Sequence, residues 1–544
     1  MKHFVPGKGG GISRRKALTA AGGLGAGVAG LALVGCGDNS SSSNKTATMQ
    51  PGGSKTAAAS ATSAPKKGGT LKLGSVSDLL WENMPYEQNP KSTVNRYMVY
   101  DNLFRYDTVD LKPTPRLAES YKFNGDQTEL TIQLRQGITF HNGQPIDGNA
   151  VVAGFNSLTA KDTPTSQVQG LAKAYVDHVT APDATHATFF LKRPGMLIFD
   201  MFHNWPFADA KDIPNLKNGG LPNGSGPFKV TAATPKSGGK MEAFTTFWKA
   251  PLLDGVDYKV YPDASSLAIA VQSGAVDFTS DLTIDDAIRF GKQSGFKVQN
   301  DKGFSFDECF GMNVKADTLS DPRVRQALYH AMDRSQVVET VFLGQSDPLY
   351  SMWPKGTPAY ESRYDTDPFD IAKAKQLLSA AGMADGTPEI DVYVQDFDKQ
   401  SQQILTLYQQ TAKKAGINLT AKVTERAVFL PMFLKGTIKG AYHEQFGFNT
   451  MHPDSLFVMN FQVRIPNSCN FDTPEYEKFQ KDIAEAADES ARKTLYASFN
   501  KLWDEQMWDF LICNVKTQWL TTSKVGGFTL SDYGTPSMET LSLS

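Results

Sequence analysis

The segment from Ser13 to Cys36 limits where a fold can begin in this chain, because its pattern is that of an export signal. Two consecutive arginines precede an uncharged apolar run, Ala17 to Val34, and small residues lead out of that run. A basic start, an apolar middle and a small-residue exit are the three parts of a signal that is removed after export. The sequence therefore predicts that residues 1–35 are an export signal and not part of the folded protein.

The details of this signal resemble two known types. Arg14 and Arg15, placed between a serine and an apolar run, resemble the pair of a twin-arginine signal. The residues Leu33-Val34-Gly35-Cys36 resemble a lipobox, after whose cleavage the cysteine becomes the first residue and carries lipid. This resemblance implies export by the twin-arginine route, followed by lipidation at Cys36 and anchoring to the cell envelope.

Two other interpretations of the apolar run are weaker. Its length is about that of a membrane helix, but its many glycines lower both helix propensity and hydrophobicity, which favours a cleaved signal. The stretch Gly25 to Gly30 also matches the dinucleotide-binding pattern G-x-G-x-x-G. No strand pattern precedes that match, and the segment is predicted to be removed, so it does not indicate a nucleotide site.

Residues 36–67 are predicted to form a lipidated cysteine followed by a flexible tether. They are rich in Ser, Ala, Thr and Gly, and they contain almost no bulky apolar side chain that folding could bury. Residues 1–67 hold nine of the 55 Lys and Arg and one of the 57 Asp and Glu, which leaves 46 basic and 56 acidic residues in the body. A body with a net charge of −10 argues against nucleic acid as a partner.

Cysteine usage restricts the chemistry further. With Cys36 assigned to lipid, Cys309, Cys469 and Cys513 remain, so the body has at most one internal disulfide and at least one other thiol. The sequence has no C-x-x-C motif and therefore no support for a zinc ribbon or a thioredoxin-type site.

Local patterns in the body alternate between strand and helix. Leu71 and Leu73 alternate with polar residues, which predicts a strand. The segments Tyr121–Phe123 and Leu130–Leu134 alternate in the same way around Asn124-Gly125-Asp126, which predicts a hairpin.

Later patterns continue the mixture. A helix is predicted over Ala264–Ser273 and a strand follows at Val276–Phe278, which gives a β-α-β rhythm. The late segment Tyr476 to Met507 is predicted to be helical, and the run Phe510 to Trp519 is predicted to return to strand. These patterns predict a mixed α/β (α+β) protein of several lobes.

Several short motifs recur in a characteristic order between Gly69 and Trp519. They are Leu103-Phe104-Arg105-Tyr106-Asp107, Leu117 to Tyr121, Leu134 to Gly143 with Pro145-Ile146, Gly224 to Phe228, Asp321 to Arg334, and Ala372 to Leu378. Each is modest alone, but their order behind a lipoprotein signal resembles the bacterial extracellular solute-binding proteins of family 5. That family includes the dipeptide-, oligopeptide- and nickel-binding lipoproteins of ABC importers.

The resemblance implies a two-lobed architecture of the periplasmic-binding-protein type II with an extra domain. The predicted segments are residues 68–112, 226–305 and 512–544 for the first lobe, 113–225 for the extra domain and 306–511 for the second lobe. The solute, a small molecule or a peptide, would lie between the lobes, which close on it by a hinge motion. The implied partners are the permease subunits of an ABC importer and the membrane that holds the lipid. A monomer without cofactor or enzyme activity is expected.

One stretch departs from the family pattern. Residues 446–457 align with a family stretch of the form Trp-x-x-Asp-x-x-Asp-Pro-Asp-x-Phe-Leu, whose first aspartate takes the terminal ammonium in peptide-binding members. Here Phe446, Asn449 and His452 replace the tryptophan and the first two aspartates. A hydrogen bond to a charged group contributes ~1.5–3 kcal/mol and a neutral one ~0.5–1.5 kcal/mol. The substitution therefore makes a plain peptide less expected, and a neutral or anionic organic solute is the hypothesis.

Other candidate ligand contacts are aromatic residues in loop-like or strand-end places. Together with Phe446, Asn449 and His452, the candidates are Tyr86, Trp205, Phe306, Trp353 and Phe448. Ordinary core or hinge packing is at least as good an interpretation of each aromatic residue. His141, His443 and His452 follow no metal-ligand spacing, so no metal site is predicted.

Two other classes of exported protein are alternatives to a solute-binding protein: an enzyme, and a peptide chaperone or sensory binding protein. An exported enzyme finds little support, because His443-Glu444-Gln445-Phe446-Gly447 lacks the second histidine of H-E-x-x-H and no G-x-S-x-G or P-loop motif is present. Asp281, Asp285 and Asp286 suit acid–base chemistry, but charge at a helix start explains them equally well. An exported peptide chaperone or a sensory binding protein on the same fold is the main alternative.

Overall fold

The computed structural model describes residues 66–544, apart from 79–92, 109, 162, 164–165, 212–214, 217, 305, 384–385, 387, 448–451 and 487. The chain divides into two units, residues 1–62 and 63–544, and the first lies outside the described residues. The interpretations of Arg14, Arg15 and Cys36 therefore stay predictions. Among the described helices, none has both the length and the apolar character needed to cross a membrane.

The first of three main sheets has seven strands. Thr70–Ser75 lies inside it, parallel to Gly255–Val260 on one side and to Phe278–Thr279 on the other. Leu71 and Leu73 are buried, in agreement with their predicted alternation. The strand order is Phe296–Asn300, Gln518–Thr522, Phe278–Thr279, Thr70–Ser75, Gly255–Val260, Gly238–Ala243 and Phe228–Thr234. Two helices share an apolar cluster with strands at one end of this sheet: Ala264–Gln272 and Ile284–Gly291.

The second sheet has five strands around Phe306–Met312, which runs antiparallel to both of its neighbours. The strand order is Asn418–Thr424, Glu389–Gln395, Ala441–Gly447, Phe306–Met312 and Asp509–Asn514. The helices that share its core are Pro322–Ala331, Arg334–Val341, Ile371–Ala380, Lys399–Ala415, Arg426–Leu434, Pro453–Met459, Pro474–Glu485 and Glu489–Gln506. Its three cysteines, Cys309, Cys469 and Cys513, are buried free thiols.

The segment Tyr476–Met507, predicted to be helical, consists of two helices, Pro474–Glu485 and Glu489–Gln506. Asp488 interrupts the pattern, because its side chain accepts a hydrogen bond from the backbone N–H of Ala491 and caps a new helix. Thr473 caps the first of the two helices in the same way, through the N–H of Tyr476.

The third sheet has four antiparallel strands and contains the predicted hairpin. Tyr121 lies opposite Ile132, and Phe123 lies opposite Leu130. The strand order is Ala118–Phe123, Glu129–Leu134, His186–Leu191 and Val176–Asp183. Its core is shared with the helices Gly148–Thr159, Gln167–Tyr175 and Ile198–Asn204.

The remaining elements are the helix Thr93–Val99, the ladders Phe104–Tyr106 with Pro113–Pro115 and Val525–Gly526 with Ser542–Leu543, and the 3₁₀ turns Asp317–Leu319 and Ser362–Asp365. The mixed α/β class is confirmed.

The chain crosses twice, side by side, between the seven-stranded and the five-stranded sheet. The first crossing precedes Phe306 and the second follows Asn514. Backbone bonds join them: the N–H of Asp301 donates to the carbonyl of Thr517 (3.2 Å), and that of Val515 donates to the carbonyl of Phe306 (2.8 Å). The run Phe510–Trp519, predicted to return to strand, thus belongs to two strands in different sheets. The second crossing lies at residues 515–517, because Asp509–Asn514 pairs with Phe306–Met312 and Gln518–Thr522 belongs to the seven-stranded sheet.

Candidate ligand-binding site

A cavity of about 350 Å³ lies at this double crossing. Three segments line it: residues 302–304 with Asp307 at the first crossing, Leu511 and Asn514 beside the second, and the loop from 347 to 365. Five aromatic residues are among the lining: Phe304, Tyr350, Trp353, Tyr360 and Tyr364. Ligand sites in proteins are commonly concave, mostly apolar, and several hundred Å³ in volume.

Backbone pairing brings the loop to the cavity. The N–H of Leu349 donates to the carbonyl of Ile512, and the N–H of Asn514 donates to the carbonyl of Asp347, both over 3.0 Å. The start of the loop therefore extends the five-stranded sheet beyond its last strand. Further along the same loop, Trp353 and Tyr360 belong to the cavity lining.

The buried side chain of Asn500 fixes the far side of this loop. Its carbonyl oxygen accepts from Trp353 Nε1 (2.5 Å), and its amide donates to the carbonyl of Ala359 (2.9 Å) and to Glu361 Oε1 (2.8 Å). Trp353 also packs edge-on against Phe499, with ring centroids 5.5 Å apart. The wall is thus held in place before any ligand arrives, which lowers the ordering entropy of binding.

Most charged groups of the lining already have partners. Lys355 Nζ pairs with Asp365 Oδ1 (2.7 Å), and Lys302 pairs with Asp532. Asp347 Oδ2 accepts from Lys516 Nζ (2.6 Å) and from Asn514 Nδ2 (3.1 Å).

Asp307 differs from these groups. It is 3% exposed, and among the residues that the structure describes no hydrogen-bond or ion-pair partner reaches its carboxyl. Burial raises the pKa of Asp307 well above its ordinary value. The arrangement as a whole, with aromatic walls and a single unsatisfied acid, suits a small organic molecule better than an ion alone.

The structure places three of the predicted site residues at or beside the cavity. Trp353 lines it. Phe306 begins the central strand, half-buried, immediately before Asp307. Phe446 lies opposite Asp307 in the register of two neighbouring strands. Asn449, Phe448 and Tyr86 lie outside the described residues.

Trp205 and His452 do not line this cavity. Trp205 is 3% exposed and belongs to the core of the four-stranded sheet, where its ring packs against Phe207 with centroids 5.3 Å apart. His452 precedes the helix Pro453–Met459, and its Nδ1 lies 3.6 Å from Asp454 Oδ1. Burial lowers the pKa of His452, so its neutral form is favoured.

The backbone of His452 takes part in a buried link between two cores. The Asp200 carboxyl, on the helix Ile198–Asn204, accepts from the N–H of His452 (3.1 Å), the hydroxyl of Tyr106 (3.0 Å) and the hydroxyl of Ser455. Burial raises the pKa of Asp200 to about 7. These bonds connect a helix packed on the four-stranded sheet to a helix packed on the five-stranded sheet, so the role of Asp200 is structural.

Sequence reasoning missed Asp307 and most of the aromatic wall. A signal was present for Asp307, because an acid inside the apolar strand Phe306–Met312 is unusual unless it has a function or a partner. No comparable local signal marks Tyr350 or Tyr360. Among the described residues, no group of three or more His, Cys, Asp or Glu side chains is arranged as metal ligands would be.

The chain belongs to the bacterial extracellular solute-binding proteins of family 5. The model described as "Bacterial extracellular solute-binding proteins, family 5 Middle" matches residues 112–464. The resemblance inferred from the sequence motifs is thereby confirmed.

Two curated relatives show the breadth of the similarity. The glutathione-binding protein GsiB of Pectobacterium atrosepticum is 25% identical over 446 residues, which cover 78% of this chain and 85% of the relative. The oligopeptide-binding protein AppA of Bacillus subtilis is 28% identical over 387 residues, which cover 66% of this chain and 70% of the relative.

Solved structures share the fold. The ABC transporter substrate-binding protein CtaP of Listeria monocytogenes superposes with a TM-score of 0.78 at 21% identity, covering 88% of this chain and 100% of that one. NikA of Brucella suis, in complex with Fe(III)-EDTA, gives a TM-score of 0.75 at 22% identity, covering 87% and 100%. At these identities the likeness concerns the fold.

Proposed function

We propose that this protein captures a small organic solute, peptide-like or non-peptide, and delivers it to the permease subunits of an ABC importer. The observation that carries the proposal is the aromatic cavity of about 350 Å³ at the double crossing between two sheets. A pair of adjacent crossing segments can act as a hinge, so that closure would enclose a solute bound beside it. The names of the relatives, which refer to glutathione and oligopeptides, support a solute with several polar groups.

The same architecture supports the division into lobes. The seven-stranded sheet takes its strands from residues 70–75, 228–300 and 518–522, and the five-stranded sheet from residues 306–514. The four-stranded sheet lies within residues 118–191. We assign these three sheets to the first lobe, the second lobe and the extra domain in that order, with the second crossing at 515–517.

The proposal extends to the location of the protein. Export through the twin-arginine pair Arg14 and Arg15, followed by lipid attachment at Cys36, would hold the body on the cell envelope beside its permease, at the periplasmic or outer face of the membrane. A monomer is proposed, since a hinge-closing binding protein needs no second copy. Family membership supports binding without turnover, and conversion of a bound solute into product would count against that view.

Lipidation has a direct test. In cells fed labelled palmitate, the wild-type protein is expected to incorporate label and a Cys36→Ala variant is expected to incorporate none, because the acceptor thiol is missing. Replacing Arg14 and Arg15 by lysine provides the companion variant, which should remain unexported and unlabelled. Label on the Cys36→Ala protein would contradict the anchor.

Solute binding is tested by thermal unfolding with a panel of compounds. Dipeptides, oligopeptides, glutathione, oligosaccharides, amino-acid–sugar conjugates and nickel complexes form the panel. A ligand present at about 100 times its dissociation constant should raise the free energy of unfolding by ~2.7 kcal/mol, since it binds only the folded state. Stabilisation by one chemical group of solutes is the expected result. Stabilisation by unfolded chains of any length, with small solutes silent, would favour the chaperone alternative instead.

A further inference from the structure

Asp307 lies in a different environment from the other acids of this cavity. Its side chain is buried in the cavity lining and has no hydrogen-bond or ion-pair partner among the residues that the structure describes, whereas Asp347 and Asp365 at the same cavity are each paired with a lysine. Burying a carboxylate without compensation is strongly unfavourable, so an empty cavity favours the protonated acid. A cation placed in the cavity would compensate the ionised form.

The lining offers such a cation favourable contacts. Aromatic faces attract ammonium and guanidinium groups, and Phe304, Tyr350 and Tyr360, which are partly exposed, belong to the lining. An anion finds no equivalent partner, because both lysines of the described lining, Lys302 and Lys355, are mostly exposed and already paired. The described lining thus combines aromatic surface with an uncompensated acid and no uncompensated base.

We propose that this cavity takes a positively charged group of an organic solute, a primary or quaternary ammonium or a guanidinium, with Asp307 as its counter-charge. The proposal deepens the proposed function, on which it rests, by naming the chemical class of the solute. It also revises the expectation of a neutral or anionic solute, which rested on the lost carboxylate at position 449. Asp307 supplies a carboxylate from the neighbouring strand, opposite Phe446.

A matched pair of probes tests whether binding depends on a positive charge in the solute. Choline carries a quaternary ammonium, and 3,3-dimethylbutan-1-ol has the same shape with carbon in place of nitrogen. Isothermal titration of the purified wild-type protein should show choline binding at least about tenfold more tightly than the alcohol, as expected for a charge-assisted contact. Equal affinities for the two probes would overturn the proposal, and this comparison requires no variant.

The Asp307→Asn variant tests whether Asp307 is the counter-charge of the bound cation. An amide has nearly the shape of the protonated acid, so the fold should be retained, and an unchanged melting temperature checks this. Choline affinity should fall at least about tenfold, while affinity for the alcohol should change by less than about threefold. Asp391→Asn is the control, because Asp391 lies in the same sheet but outside this cavity and pairs with Lys422 (3.3 Å). It should leave both affinities unchanged.

The outcomes separate this inference from the function on which it rests. If the panel of solutes binds but choline does not, or if Asp307→Asn binds choline as tightly as the wild-type protein, the cation assignment is wrong and solute capture stands. If neither the panel nor the cationic probe binds, both proposals fail together.

Discussion

A Gly224→Ala variant is expected to lose about 3 kcal/mol or more of its free energy of unfolding. A Cβ atom at position 224 would lie 1.9 Å from the backbone carbonyl oxygen of Val99, far inside contact distance. The backbone has little freedom to move away, because Gly224 accepts from the N–H of His141 (3.0 Å) and Gly226 donates to the same Val99 carbonyl (2.9 Å). Overpacking against fixed backbone is one of the few mechanisms that gives so large a loss from one methyl group.

Gly125→Ala is the matched control. Nothing lies within 4 Å of a Cβ built at position 125, in the turn of the predicted hairpin. Urea unfolding of both variants should therefore place Gly125→Ala within about 1 kcal/mol of the wild-type protein. A Gly224→Ala protein that unfolds at the wild-type urea concentration would show that the segments around Val99 and Gly224 do not approach as described.

The second large effect concerns pH and the buried carboxyl of Glu308. Gln445 Nε2 donates to Glu308 Oε1 (3.2 Å), and His443 Nε2 lies 3.5 Å from Oε2. Burial, with a smaller contribution from the charge of Asp398, raises the pKa of Glu308 to about 8. Burial lowers the pKa of His443 to about 4, so this close approach joins two neutral groups near pH 7 and is not an ion pair.

The direction in which the free energy of unfolding changes with pH follows from the linkage between protonation and folding. A carboxyl whose pKa is higher in the folded protein than in the unfolded chain stabilises the fold fully below its unfolded pKa, and that stability is lost as the pH rises toward the folded pKa. For Glu308 the window runs from about 4.5 to about 8, the unfolded and folded values. Within it the free energy of unfolding should fall by ~1.4 kcal/mol per pH unit on account of this one proton.

Glu308→Gln should remove this contribution. Between pH 5 and pH 8.5 the variant is expected to lose roughly 4 kcal/mol less stability than the wild-type protein. Other groups near Glu308, such as Glu444 and Asp307, are present in both proteins and contribute similarly to each. Urea unfolding at the two pH values measures the difference, and at pH 5 the two proteins should agree within about 1 kcal/mol. Equal pH slopes would mean that Glu308 is solvated or charge-compensated.

Local patterns predicted much of the fold, because alternation and helical spacing depend on neighbours in the sequence. The strand at Leu71 and Leu73 and the hairpin around Gly125 were both found as predicted. The same patterns do not show which sheet a strand joins. The run from Phe510 to Trp519 belongs to two strands that lie in different sheets. Every residue of both strands is buried, so the sequence pattern does not distinguish one strand from the other.

The site was less predictable for a related reason. Its lining comes from residues 302–304 and 307, from the loop 347–365, and from Leu511 and Asn514, which only the tertiary fold brings together. Neither aromatic character nor burial separates Trp353, which borders the cavity and is 1% exposed, from Trp205, which is 3% exposed in the core of the four-stranded sheet. The family resemblance predicted the architecture, whereas the lack of a partner for Asp307 among the described residues follows only from the tertiary fold.

Small-angle X-ray scattering with and without a saturating solute tests the central claim most directly. The solute is the compound of the panel that stabilises the protein most. If solute is captured between the two sheets by hinge closure, the radius of gyration should decrease on binding, because the lobes approach each other about the paired crossing segments. An unchanged scattering curve at full saturation would contradict the account, since the solute would then bind without any closure of the lobes.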